Sequence, residues 1–156
     1  MLPGVAAGEA LLAGAIAGYV MALFGYWMEG FFGLPRMDMS QAGMKYLGRA
    51  QPDNMTWLVG IAAHHIDAAI LGLLYAAAFY KVIVDIGGFD PNWWRGILLG
   101  LGYGVGVMIF LPGIILGTLT RFQMPMTPRD LIASLAVHLV YGAVLGAIYF
   151  PFGGFV

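Results

Sequence analysis

Apolar residues dominate four long stretches of this sequence, and most polar residues fall in the segments between them. The stretches cover residues 6–32, 56–80, 93–118 and 128–150. Each is near or above the roughly 20 apolar residues with which a helix crosses the hydrocarbon core of a bilayer. None alternates with the period of two that is typical of membrane barrel strands. The pattern predicts an all-α integral membrane protein, a four-helix bundle that forms a single domain over residues 1–156.

The first connection is the one long polar segment, and its pattern indicates a further short helix. Asp38 and Gln41 have the spacing of a capping box. Lys45 and Arg49 fall on the same helical face, whereas Met44 falls nearer the other face. These positions predict a short interfacial amphipathic helix that lies on the membrane surface.

Proline and glycine mark several expected helix ends. Gly33 is expected to stop the first helix, and Thr127-Pro128 supplies an N-cap followed by proline at the first helical position of the fourth. Pro112 is expected to kink or interrupt the third helix, because proline removes one backbone hydrogen bond.

Composition agrees with a membrane protein and excludes several kinds of site. Hydrophobic residues make up 61% of the chain and charged residues 10%, against about one quarter charged in soluble domains. The absence of cysteine excludes disulfides, thiolate metal sites and cysteine nucleophiles. The net charge is −1 and there is no basic cluster, so no nucleic-acid partner is expected. Glu9 and the lack of an early Lys or Arg argue against a cleaved signal peptide.

The basic residues of the connections predict an orientation. One side of the membrane receives five of them, Arg36, Lys45, Arg49, Arg121 and Arg129, and the other side receives two, Lys81 and Arg95. By the positive-inside rule the five are cytoplasmic. The chain is thus expected to cross the cell (inner) membrane several times, with both termini on the non-cytoplasmic side.

Two segments of the sequence resemble each other. In residues 64–75 and 138–149, His, Ala, Leu, Gly and Tyr recur at equal spacing, 74 positions apart. The second and fourth spans run in the same direction if all four stretches cross the membrane. The similarity therefore predicts two parallel two-helix repeats, related by a pseudo-two-fold axis along the membrane normal.

Glycines spaced four apart predict where helices pack closely, because lipid supplies no hydrophobic force between helices and small residues let backbones approach. The predicted packing positions are Gly14, Gly18, Gly96, Gly100, Gly104, Gly142 and Gly146. In the repeat, the first two of these match Gly96 and Gly100.

Five polar side chains fall at membrane depth and form the candidate site: His64, His65, Asp67, His138 and Tyr141. His64 and His138 are expected at similar depths, roughly 12 and 15 Å from their helix starts. Asp67 and Tyr141 each follow one of these histidines by three residues, so an imidazole, a carboxylate and a phenol can meet on neighbouring helices. His65 points about 100° away from His64 and is expected to make a different contact.

Several functions fit these residues. In the simplest, the polar groups hydrogen-bond between helices, and the protein is a non-catalytic subunit that binds other membrane subunits and lipids. In a second, His64 and His138 are axial ligands of a haem b, for which adjacent glycines leave room. In a third, the repeats and intramembrane ionisable groups belong to a small proton or solute transporter.

A fourth hypothesis concerns copper. Four methionines, Met37, Met39, Met124 and Met126, fall on one side of the membrane, and thioethers suit Cu(I). No Ser-His-Asp set, paired carboxylates or zinc spacing is present in the sequence, so neither catalytic residues nor a metal site are assigned, and no enzyme activity is expected.

The fourth stretch also resembles a known family. Residues 138–146 read His-x-x-Tyr-Gly-x-x-x-Gly, as in the last helix of a family of small uncharacterised four-helix membrane proteins from bacteria and archaea. The resemblance implies a place beside respiratory oxidase or other electron-transfer components. His65 and Asp67 depart from the single-histidine pattern of that family, so the resemblance implies nothing about their contacts.

Overall fold

The computed structural model describes residues 3–80, 93–111 and 127–153, and these ranges contain helices and connections but no strand. The helices are α1 (Pro3–Phe32), α2 (Met39–Leu47), α3 (Asn54–Leu74), α4 (Trp93–Leu111) and α5 (Pro128–Gly153), and a π-helical segment, Tyr75–Tyr80, continues α3. Pro112 and the remainder of the predicted third span lie outside the described residues.

Four helices are long and apolar enough to cross a membrane. The candidate spans are Ala7–Phe32, Asn54–Ala78, Trp93–Phe110 and Pro128–Tyr149. The prediction of an all-α, multi-pass membrane protein is therefore confirmed at the level of helix number, length and composition.

The first connection folds back along α1. Gly33 ends the helix in the left-handed conformation, φ +62°, and its carbonyl accepts a hydrogen bond from Arg129 of α5. The backbone N–H of Met37 then donates to the carbonyl of Gly25 at 2.9 Å. Because Gly25 lies well before the end of α1, the segment that leads into α2 runs beside the spans.

The predicted short helix α2 is present, although its N-cap differs from the prediction. The Asp38 carboxylate accepts from the backbone N–H of Ser40 at 2.9 Å, instead of from that of Gln41 as in a capping box. The helix crosses α3 where Gly43 meets Thr56 and Gly60 so closely that a Cβ on either glycine would overlap the opposing backbone. Its position on the membrane surface stays a prediction.

A capping box does start α3. The Asp53 carboxylate accepts from the backbone N–H of Thr56 at 2.7 Å, and the Thr56 hydroxyl accepts from the N–H of Asp53 at 2.8 Å. The hydrogen bond from Thr56 holds the pKa of Asp53 below its usual value. At the start of α5, Thr127 donates to Asp130 from its N–H at 2.8 Å, in agreement with the predicted first turn.

Two glycine contacts pair the spans. Gly14 of α1 lies against the backbone of Ala68 and Gly72 of α3, and a Cβ at Gly14 would overlap the Ala68 carbonyl. In α4, Gly100 lies against Gly142 and Gly146 of α5 with equally little room. Each pair is antiparallel, because later residues of one helix meet earlier residues of the other. The glycines named from the sequence all lie at these two crossings.

We predict that substitution by alanine has opposite effects at a glycine that packs on another helix and at a glycine that faces open space. Gly100→Ala should lower the free energy of unfolding by about 1 to 3 kcal/mol, since the carbonyl of Gly142 must move. Gly102→Ala should raise it by up to about 1 kcal/mol through helix propensity, because a Cβ at Gly102 meets nothing within 4 Å. Reversible unfolding in mixed micelles measures both, and equal effects would contradict the α4–α5 packing.

Candidate functional site

His64 uses the space that a glycine leaves in the neighbouring helix. Gly18 of α1 has no side chain facing α3, so the imidazole can approach its backbone, and His64 Nε2 donates to the Gly18 carbonyl at 3.0 Å. A carbonyl only accepts, so this nitrogen carries the proton. The histidine thereby ties α3 to α1 next to the Gly18–Ala68 contact.

His138 bonds within its own helix. Its Nδ1 donates to the carbonyl of Ser134, one turn earlier in α5, at 2.7 Å. This bond fixes the tautomer and leaves Nε2 for another contact. Donation from the second ring nitrogen to a carbonyl is also how metal-bound histidines are commonly oriented.

The two histidines differ in how well they fit the haem b hypothesis. His138 has Nε2 free of the Ser134 bond, whereas His64 has committed Nε2 to Gly18 and would have to bind iron through Nδ1. Between their helices the hydroxyl of Tyr141 donates to the Ala68 carbonyl at 2.8 Å, and a macrocycle there would have to displace this bond. The haem site stays a prediction.

Asp67 forms its hydrogen bond with a residue outside the predicted site. Its carboxylate accepts from the hydroxyl of Tyr46, in α2, at 2.7 Å, and its side chain is on the outer face of α3. This hydrogen bond is the main reason that the pKa of Tyr46 is raised to about 12. Asp67 and Tyr141, which the sequence allowed to meet, thus bond different helices: Asp67 bonds α2 and Tyr141 bonds α3.

His65 faces a third direction. Its Nδ1 donates to the carbonyl of Ile61 at 2.9 Å, and its ring lies 6.2 Å from that of Tyr19, on α1. The ring is also edge-on to that of His64, with centroids 5.4 Å apart. His65 therefore makes a separate contact, and it borders a cavity between α1, α2 and α3.

Tyrosines fill the core where α3, α4 and α5 meet. Tyr75 is fully buried, and its ring centroid lies 5.1 Å from that of Tyr103, 5.8 Å from that of Tyr149 and 6.0 Å from that of Tyr80. The Tyr103 hydroxyl donates to the carbonyl of Leu71 at 2.7 Å, one turn before the π-helical segment. The phenols thus bond backbone carbonyls of α3 from both α4 and α5.

Sequence reasoning missed two of the tyrosines that matter here. Tyr103 lies within a glycine-rich string, and Tyr46 lies in the first connection, so neither belongs to the repeated His-to-Tyr pattern. A weaker signal could have identified them. Both carry a hydroxyl donor on a face directed at α3, and polar groups of α3 need hydrogen-bond partners in an apolar solvent.

The described residues contain no group of three or more His, Asp or Glu side chains that could hold a metal ion. Among the methionines of the copper hypothesis, Met37 packs on Gly25, and Met39 borders the same cavity as His65. Met124 and Met126 lie outside the described residues. In the described residues, phenol and imidazole groups donate hydrogen bonds to backbone carbonyls, either one turn earlier in the same helix or on a neighbouring helix.

Comparison of the chain with protein-family models, with curated proteins and with solved structures found no match.

Proposed function

We propose that this protein is a non-catalytic subunit of a larger membrane complex, and that the outer face of α3 binds another subunit. The observation that carries the proposal is an exposed carboxylate midway along a candidate membrane span, on an otherwise apolar outer face. Asp67 is thirteen residues after Asn54, about 20 Å along the helix, and it is exposed.

The surroundings of Asp67 favour a protein neighbour over lipid. Among the four spans, α3 buries the smallest share of its residues, 17% against 28% to 33%. Ile66, Ile70 and Leu74 extend its exposed face along the helix. An ionised carboxylate facing hydrocarbon costs about 3 kcal/mol on insertion scales, and the one bond from Tyr46 leaves further acceptor capacity. A partner helix with a hydrogen-bond donor would supply the missing contact.

The two-repeat architecture is part of the proposal. The contact of Gly14 with Ala68 and Gly72 has a counterpart in Gly100 with Gly142 and Gly146. Corresponding residues of α3 and α5 are 74 positions apart in both cases, as the sequence similarity requires. Matching these contacts aligns Gly14 and Gly18 with Gly100 and Gly104, one helical turn later than the alignment made from sequence.

The aromatic core also supports a pseudo-two-fold axis. Tyr75 and Tyr149 are equivalent in the repeat, and their rings meet in a T-shaped contact with centroids 5.8 Å apart. Residues next to a two-fold axis contact their own equivalents. In this proposal α3 and α5 run in the same direction on either side of that axis.

The kind of complex and its orientation are proposed from the sequence. The resemblance of residues 138–146 to small four-helix membrane proteins favours a respiratory or electron-transfer complex in the cell membrane. The charge bias favours cytoplasmic placement of the first connection. The expected neighbours are membrane subunits and lipids, and no nucleic acid is expected.

The subunit proposal predicts co-migration. Gently solubilised from its native membrane, the chain should run on a native gel with other proteins. Ile70→Trp on the outer face of α3 should reduce the amount in that band severalfold, because the side chain is 48% exposed and would face the partner. The matched change Leu98→Trp, on α4 at a side chain 53% exposed, should leave the band intact. Migration of the parent chain alone would refute the proposal.

The contact between α2 and α3 predicts an unusual titration. The difference in absorbance at alkaline pH between the parent and Tyr46→Phe should show a midpoint of about 12, since the hydrogen bond to Asp67 holds the proton of Tyr46. Asp67→Leu should return this midpoint toward the usual value of 10. A midpoint that does not respond to Asp67→Leu would show that the two side chains do not meet.

A further inference from the structure

A half-open cavity of about 750 Å³ lies between α1, α2 and the first half of α3. Its origin is the path of the first connection. The bond from Met37 to Gly25 holds the chain against α1, and the Gly43–Gly60 crossing holds α2 against α3. The space between these two attachments is left open.

The cavity is mainly apolar and aromatic. Tyr19 and Leu23 border it from α1, Met39 from α2, and Trp57 and Ile61 from α3. A volume of about 300 to 1,000 Å³, apolar walls and a few fixed polar groups are the usual properties of a small-molecule site. The walls suit a flat ring with an apolar tail.

His65 supplies a polar group on the wall formed by α3. It is eight residues beyond Trp57, about 12 Å further along α3. Because Nδ1 donates to Ile61, the neutral ring keeps a lone pair on Nε2, and no described residue bonds that nitrogen. A ligand hydroxyl is the group that complements it.

The mouth of the cavity does not favour an anionic headgroup. Arg36 borders it, but its Nε lies 3.9 Å from a carboxylate oxygen of Glu29. Asp38, the N-cap of α2, borders the same region and adds a second negative group. A phospholipid phosphate would find one guanidinium, that of Arg36, beside two carboxylates, those of Glu29 and Asp38, which would repel it.

We propose that this cavity binds the ring of a lipid-soluble quinol, with His65 Nε2 accepting a hydrogen bond from a ring hydroxyl. The ring lies between the aromatic walls contributed by Tyr19 and Trp57, and the tail leaves through the open side. The inference goes beyond the proposed assembly role and does not depend on it, because the cavity is formed within one chain.

The test is calorimetric titration of the full chain in phosphatidylcholine nanodiscs under anaerobic conditions. The probes are decylubiquinol and its bis-methyl ether, which cannot donate a hydrogen bond. The parent should bind the quinol saturably and the ether about tenfold more weakly, the value of one hydrogen bond. His65→Leu should weaken quinol binding about tenfold and leave ether binding unchanged.

Two further variants keep the test decisive. Ala62→Phe fills the cavity from α3 and should abolish binding of both probes, even if His65→Leu fails to fold. Gly102→Ala, on α4 outside the cavity and in open space, should bind both like the parent. Equal affinity of the parent for quinol and ether, full binding by Ala62→Phe, or a bound phospholipid that decylubiquinol does not displace would each overturn the proposal. None of these outcomes depends on whether other subunits co-purify.

Discussion

Direct contact between helix backbones at glycine is the constraint on which the rest of the bundle depends. Lipid is as apolar as the side chains, so the spans gain little from hiding leucine or valine from it. Gly14 on Gly72, and Gly100 on Gly142 and Gly146, bring backbones close enough for dispersion forces and weak Cα–H donors to act. These crossings set the spacing of α1 with α3 and of α4 with α5.

Close approach also determines which polar groups can find partners. His64 reaches the carbonyl of Gly18 because Gly18 has no side chain in the way. The phenols of Tyr141 and Tyr103 donate to the carbonyls of Ala68 and Leu71. These three donors are satisfied within the protein, whereas the buried hydroxyl of Tyr80 and one carboxylate oxygen of Glu9 have no hydrogen-bond partner among the described residues.

The outer surface differs from this interior. On α3, Asp67 has the hydroxyl of Tyr46 and an apolar exposed face around it, which is the basis for proposing a neighbouring subunit. On another face of the same helix, His65 borders a cavity that the folded-back connection leaves open. Two ionisable residues of one helix, two positions and about 200° apart, thus face the two surfaces that we propose, one for a protein and one for a small molecule.

The sequence by itself determined the class of the protein, because membrane spans depend on length and hydropathy, which are local properties. Spacing and capping residues also indicated the starts of α2 and α5 and part of the glycine packing, whereas Gly43, Gly60 and Gly72 were found at crossings only in the structure. Only the tertiary structure decided which partners the polar side chains take. Asp67 and Tyr141 follow equivalent histidines, yet one bonds Tyr46 of α2 and the other the Ala68 carbonyl. That choice depends on how the connection folds back and where helices cross, and both are set by contacts between residues far apart in the chain.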